Sequence, residues 1–438
     1  MNTKEKYSLA GLVIEHALKN GAQQVSVSVD ESRTNEIEIR DRQIDKLTES
    51  NRKSLTIRLY VDKKYSAHTT NRLKKEDLLK FTSEAIAATR FLAEDEYRSL
   101  PDPELYYKGG GKDPGIFDPS IESVEPGQKI DIASQVLDEA WGKDERIITV
   151  SAYYSDSISS GILVTSNGFK GDVAMTGVSL YVTVSLKSDD GRPSDYWFEN
   201  AIFFDKLVKK GVGTKALERV LRKTGPRKIK SGSYPMIVEN LAASTLLSPL
   251  FDALQGYSIY HKQSFLAGKE GKPVASEVMT VDDDPTLPSE PGSRLFDSEG
   301  VAAVKRLIIE KGILRNFYID TYYGKKLGMK PTSGSSSNVI FKRGDKDLSG
   351  LISTLKNGLL VTSFNGGNCN GSTGDFSYGI EGFYIENGKI VHPVNEMNIT
   401  GNMNDLWLRL AEAGNDYLEG TSLKVPSLLI DKVDFSGI

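Results

Sequence analysis

Histidine, cysteine and clustered carboxylates are the side chains best suited to metal binding and proton transfer, and this 438-residue chain has four histidines and one cysteine. His16, His68, His261 and His392 stand scores of residues apart. A helical zinc site, with two imidazoles about a turn apart and a glutamate between them to activate water, therefore has no local source. Two histidine ligands would have to come from distant segments. His261 is the best placed, because Asp282, Asp283 and Asp284 follow in the same half of the chain. These aspartates open VDDDPTLPSEPGSRLFDSEG, whose paired carboxylates suit acid/base work or a hard cation. Its Asp-Pro and Ser-Glu-Pro steps equally describe a turn-rich, solvated connection.

Cys369 lies in NGGNCNGSTGDFSYG with no histidine near in sequence to serve as its base. The glycines around it, Gly366, Gly367, Gly371 and Gly374, interest us more, since glycine lets a backbone approach a ligand or peptide closely. No GKS or GKT follows, so this is not a phosphate-binding loop of the P-loop kind. RKTGPRKIK, residues 222–230, places five basic residues in nine. It reads as a solvated interdomain connection or as a contact for an acidic partner or nucleic acid. No RNA-binding aromatic signature accompanies it, and a net charge of −4 argues against a nucleic-acid surface spread over the whole protein. Asp297 and Glu299 precede VAAVKRLII, which has the look of an apolar helix that they would cap.

The elements that must position these residues can be read from periodicity. Length alone suggests two or three domains, and three is the working number. Leu9, Leu12, Val13 and Ala17 share a helical face that stops at Asn20-Gly21, followed by period-two runs through Val25, Val27, Val29, then Ile37, Ile39, then Leu55 to Val61. A helix over about Lys74–Leu92 completes a helix-strands-helix unit, residues 1–97. A Pro- and Gly-dense linker, 98–128, leads to a second unit of the same order, 129–224, without residue-level repetition. The remainder, 225–438, opens with the strand SYPMIVEN and the helix ending LLSPLFDALQG, then an extended segment carrying His261. Strands LLVTSF and GFYIE, the turns EKGIL and ENGKI, and a helix over about Asn404–Ala413 follow. The expected class is α+β, with mainly antiparallel sheets flanked by helices. No apolar run is long enough for a membrane span, and a single cysteine fits a reducing, cytoplasmic setting.

The series DDP, GSRLFDSEGV, LIIEKGILRNFYIDTYYGKKLGM, GLLVTSFNGG, NGSTGDFSYGIEGFYIENGKI, PVNEMNITGN and GND resembles the TldD/PmbA family, once described as modulators of DNA gyrase. The match spans the chain in order and is strongest from about Tyr234 to Ile430. The resemblance implies a metallopeptidase built from paralogues and acting on unfolded or leader peptides. Its TldD member carries HExxxH on a helix, with a cysteine near the C-terminus as a further ligand. Here Ser248-Pro249-Leu250-Phe251-Asp252-Ala253 occupies the window of that motif, with Ser248, Pro249 and Ala253 where the ligands and glutamate belong. The C-terminal segment has no cysteine, and Cys369 lies too early to replace it. The chain thus resembles the TldE/PmbA-like branch that lacks the zinc motif. That implies a noncatalytic subunit without a metal of its own, zinc in a TldD-like partner, and an extended peptide as the shared substrate. A homodimer in the absence of that partner is a further expectation. Asp282–Asp284 and Gly366, Gly367, Gly371 and Gly374 are the candidate peptide or partner contacts. Two rival expectations are a free-standing adaptor or regulator associated with DNA gyrase and an independent hydrolase.

Overall fold

The computed structural model describes residues 1–189 and 191–438. Its first unit runs α1 (Thr3–Lys19), β1 (Gln24–Arg40), β2 (Gln43–Val61), β3 (Lys64–Thr70) and α2 (Lys75–Thr89). Asn2 and Glu5 form a reciprocal capping box that starts α1, and the buried stripe is Ala10, Val13, Ile14 and Ala17. The second unit repeats the order with α3 (Pro126–Asp138), β4 (Ile147–Thr165), β5 (Lys170–Leu186), β6 (Ser194–Ala201) and α4 (Val212–Leu221).

The two units share one antiparallel sheet in the order β3-β2-β1-β4-β5-β6. β1 pairs with β4 along nearly its whole length, from Ser26 opposite Thr165 to Arg40 opposite Ser151. The same face of β1 feeds two cores: Val25, Val27 and Val29 pack under α1 and α2, whereas Ile37 and Ile39 join Val150, Ala152 and Tyr154 under α3 and α4. The stretch expected to be a linker is strapped to its neighbours. Tyr106 is buried and bridges to Val301, Ile116 accepts from the Thr176 N–H, and Pro114 accepts from the Ser289 N–H at 2.8 Å. Pro and Gly keep it out of regular structure, but its apolar anchors hold it down.

The C-terminal part contains β7 (Gly232–Val238), α5 (Asn240–Ala253), α6 (Gly256–Tyr260), β8 (Val281–Asp283), β9 (Arg306–Glu310), β10 (Ile313–Leu314) and α7 (Thr321–Leu327). There follow β11 (Val339–Phe341), α8 (Leu348–Thr354), β12 (Asn357–Cys369), β13 (Asp375–Glu386), β14 (Lys389–Asn402) and α9 (Met403–Leu408). The chain ends with β15 (Leu410–Ala413), β16 (Leu423–Lys424) and β17 (Leu428–Ser436). One sheet runs β14-β13-β12-β7-β17-β15, and a further β14–β17 pairing closes five of these strands into a ring. A smaller sheet runs β10-β9-β8-β11-β16. The fold is α+β with mainly antiparallel pairing; β7–β12 and β11–β16 are parallel.

Three local expectations are corrected. VAAVKRLII is not a helix capped by Asp297 and Glu299: Ala302 forms an extended bridge with Phe296, and Arg306–Glu310 is β9, paired with β8. Its β-branched Val and Ile residues favour that outcome. The expected helix over Asn404–Ala413 stops at Leu408, after which Leu410–Ala413 pairs with β17. His261 is not in an extended segment but ends the short helix α6.

Candidate functional site

α5 follows β7 directly and lies on the largest core, burying Ala242, Ala243, Leu246, Leu247, Leu250 and Ala253. The window residues therefore divide by helical geometry. Ser248 and Asp252, one turn apart, share the exposed face, Pro249 is half-buried, and Ala253 is enclosed by the core. Pro249 has no N–H to offer the Thr245 carbonyl, so the helix lacks one of its internal bonds here.

The open face looks toward β12 and β13. Although Asp252 is exposed as a residue, partial desolvation of its carboxyl against the strands raises it above the ordinary carboxylate range, opposed by a hydrogen bond from Ser248. Burial likewise pushes up the Cys369 thiol, helped by the fields of Asp375 and Asp252. It also lifts the Tyr378 phenol to about 12, with Cys369 and Asp252 adding to the effect. A thiol held protonated is the opposite of an activated nucleophile.

At the head of α5 lies a cavity of about 520 Å³. Leu241, Ala242 and Thr245 of α5 meet Thr362–Asn365 of β12, Glu381 and Gly382 of β13, and Pro393–Asn395 of β14. The second unit contributes residues 192–196. The strand wall is irregular where it lines this space: pairing shifts between Val361 and Ser363 and again between Ile380 and Gly382. Such bulges re-aim side chains and interrupt the ladder. Gly382 is required for closeness, since a Cβ there would sit 1.9 Å from the Leu360 carbonyl oxygen.

Charge is concentrated beside this cavity. Arg219 of α4 grips Glu239, the residue that starts α5, through two hydrogen bonds of 2.8 Å. It also reaches Asp195 at 3.3 Å. Lys223 lies 3.1 Å from both Asp195 and Glu381. Burial works against the Arg219 charge, but hydrogen-bonded Glu239 and nearby Asp195 outweigh it and hold the guanidinium above its ordinary value. These residues come from four separated segments, so no local spacing announced them. The basic run 222–230 is drawn into the same seam: Lys223 is paired as above, Arg222 lies over the Phe383 ring, and Lys228 meets Glu396 at 3.2 Å.

The other sequence candidates fall elsewhere. Asp283 is completely buried in β8, bound to Arg306 at 2.9 Å and accepting from the Ser337 N–H at 2.7 Å. Asp284 is buried against Thr286 and Lys305; Asp282 is half-buried beside Lys305. The start of the acidic run, Val281–Asp283, is thus a strand whose carboxylates have internal partners, whereas residues 284–300 form the succession of turns that the Asp-Pro and Ser-Glu-Pro steps suggest. Gly366 and Gly367 belong to β12, not to a loop, and Gly367 combines a φ of 92° with close approach to the Ser377 carbonyl. Gly371 and Gly374 lie in the turn to β13, against Gln263 and against Asn402 with Asn404. None of the seven lines the large cavity.

Zinc on α5 would need imidazole, thiolate or carboxylate donors converging on one point. Ser248, Pro249 and Ala253 supply none, and Asp252 is a single carboxylate. Among the described residues no three His, Cys, Asp or Glu side chains are grouped to hold a metal. The residues present do not fit the ion. No described helix is long and apolar enough to cross a membrane.

Comparison with known proteins agrees with this architecture. Residues 25–89, 119–224 and 231–437 match the models of PmbA/TldA metallopeptidase domain 1, the central domain and the C-terminal domain. The Haemophilus influenzae metalloprotease PmbA homologue is 29% identical over 445 residues, covering 99% of this chain and 96% of that protein. A Bacteroides thetaiotaomicron crystal structure described as a candidate modulator of DNA gyrase is 46% identical, with a TM-score of 0.98 and full coverage of both chains. The structure of TldE from Thermococcus kodakarensis shares the fold, with a TM-score of 0.87 at 21% identity and coverage of 98% and 100%.

Proposed function

The chain belongs to the PmbA/TldD metallopeptidase family, and from that premise we propose that it is the zinc-free subunit of a TldD/TldE-type peptidase acting on unfolded or leader peptides. One observation carries the reading: Pro249, inside α5, stands at the position that the resemblance assigns to the family's catalytic glutamate. Proline has neither a carboxylate nor an N–H, and Ser248 and Ala253 replace the flanking imidazoles. The water-activating metal therefore belongs to a TldD-like partner. This chain completes the complex and helps hold the peptide in an extended form.

The cavity at the head of α5 is the wall we assign to the peptide, in place of Asp282–Asp284 and the glycine turn. Its bulged strands leave main-chain groups out of register, and main-chain bonding is indifferent to the side chains of an extended substrate. The single cysteine fits assembly in the cytoplasm.

The test is cleavage of an unstructured peptide by this chain, by an HExxxH-bearing paralogue from the same genome, and by the two mixed with zinc. Cleavage chiefly by the mixture is the expected result. Chelator-sensitive cleavage by this chain alone would overturn it, as would failure of the two chains to associate.

A further inference from the structure

We propose that the seam between the first unit and the C-terminal part binds a small oxyanion, phosphate or a carboxylate group, between Arg58 and Arg98. A cavity of about 80 Å³ lies there, lined by Arg58, Tyr60, Tyr65, Arg98, Glu299 and Tyr322 among others. One water needs roughly 10–15 Å³ on this measure, so the space admits several waters or one tetrahedral oxyanion.

The two arginines are the unusual feature. Among the described residues neither guanidinium has a carboxylate oxygen within 4.0 Å. Arg98 is fixed between two rings, its Cζ 3.4 Å from the Tyr322 centroid and 4.5 Å from that of Tyr65. Stacking occupies the faces of a guanidinium and leaves its edge N–H groups to bond, the geometry that suits carboxylate and phosphate. The Tyr60 phenol is held protonated by burial, with Tyr65 and Glu299 adding to the effect, so another donor lines the space.

The nearby acids are committed elsewhere. Glu299 shares the cavity, but it accepts from the Thr321 N–H at 3.0 Å, and burial raises its carboxyl. Asp95 accepts from the Tyr322 hydroxyl at 2.6 Å and meets Lys326 at 3.6 Å. Asp320 caps α7 through the Tyr323 N–H. Two cations thus line the cavity with one acid, Asp95 and Asp320 lying outside its lining although their charges reach Arg98, and an anion between the arginines would tie β2 to the segment after α2, beside Tyr322 of α7.

The measurement is thermal melting of the full chain at constant ionic strength while chloride is exchanged for phosphate, or for acetate in a parallel series. A saturable rise in melting temperature, lost in Arg58→Gln, is expected; Glu299→Gln should lower the half-saturating concentration several-fold by removing a like charge. A response to phosphate alone assigns the site to a tetrahedral oxyanion, and a response to acetate assigns it to a carboxylate such as a peptide terminus. An unsaturable rise shared by Arg58→Gln overturns the proposal. Should Arg58→Gln not fold, an unchanged midpoint in Glu299→Gln overturns it equally.

Discussion

The two ends of α5 have been treated differently. At its head, Glu239 is locked to Arg219 and joined through Asp195 to Lys223 and Glu381, tying the second unit to the ring of strands. Near its other end, in the window that the resemblance assigns to the family's metal motif, the helix presents a hydroxyl and one carboxylate to the surface beside a half-buried proline. A segment that had merely lost its purpose would not need so many buried charges to place it. The helix is held as a scaffold, and what it positions is the cavity at its head.

The sharpest way to break that contrast is Arg219→Ala. The side chains of Arg219 and Glu239 are only 14% and 11% exposed, so truncation strands one carboxylate and leaves Lys223 as the one cation paired with Asp195. Breaking a buried pair from one side costs about 3 kcal/mol or more. Calorimetric melting should show that loss, together with weaker peptide cleavage by the mixed complex. A variant as stable as the parent would mean that the head of α5 is not the anchored end.

How much of this was legible beforehand follows from which interactions are local. Val25, Val27, Val29 and Leu55 to Val61 announced buried strands because period two is written in adjacent residues. The pairing of β1 with β4 was not visible, because alternation does not name a partner more than 100 residues away. VAAVKRLII misled because a short apolar run fits a buried strand as well as a helix. Asp283 looked solvated because its partner Arg306 lies 23 residues on, in another strand. The charges around Glu239 were hidden for the same reason, whereas Ser248, Pro249 and Ala253 could be set against a contiguous motif from the sequence alone. Contiguous residue types are legible in sequence; the distant partners they meet in three dimensions are not.

Pro249→Ala tests the other end. An interior proline removes a helical hydrogen bond and crowds the preceding turn, a cost of about 3 kcal/mol in an unrelaxed helix. Relaxation of this helix and the entropy that proline removes from the unfolded chain should reduce the gain to about 1 kcal/mol. Chemical denaturation should therefore show a modest stabilisation, with peptide cleavage by the mixed complex unchanged. A changed cleavage rate would mean that the local geometry at Pro249 contributes to the shared site.

The smallest effect, and the finest probe of the open face, belongs to Asp252. Its carboxyl is raised in the folded chain by burial, against the opposing hydrogen bond from Ser248, with Cys369 and Tyr378 the other titratable groups beside it. A raised acid binds more protons folded than unfolded between its unfolded and folded values, so its contribution to stability falls as pH rises through that interval. Asp252→Asn removes the dependence. The variant should match the parent at a pH below the ordinary aspartate range, where both carry a neutral group, and should melt higher above it. Because Asp252 lies on the exposed face, solvent screening keeps this gap smaller than that of Pro249→Ala. Melting curves of both proteins from acid to neutral pH would show the gap opening upward. A gap that opens in the opposite direction would mean that the ionised carboxylate is stabilised by a cation, and that this end of α5 carries charge chemistry after all.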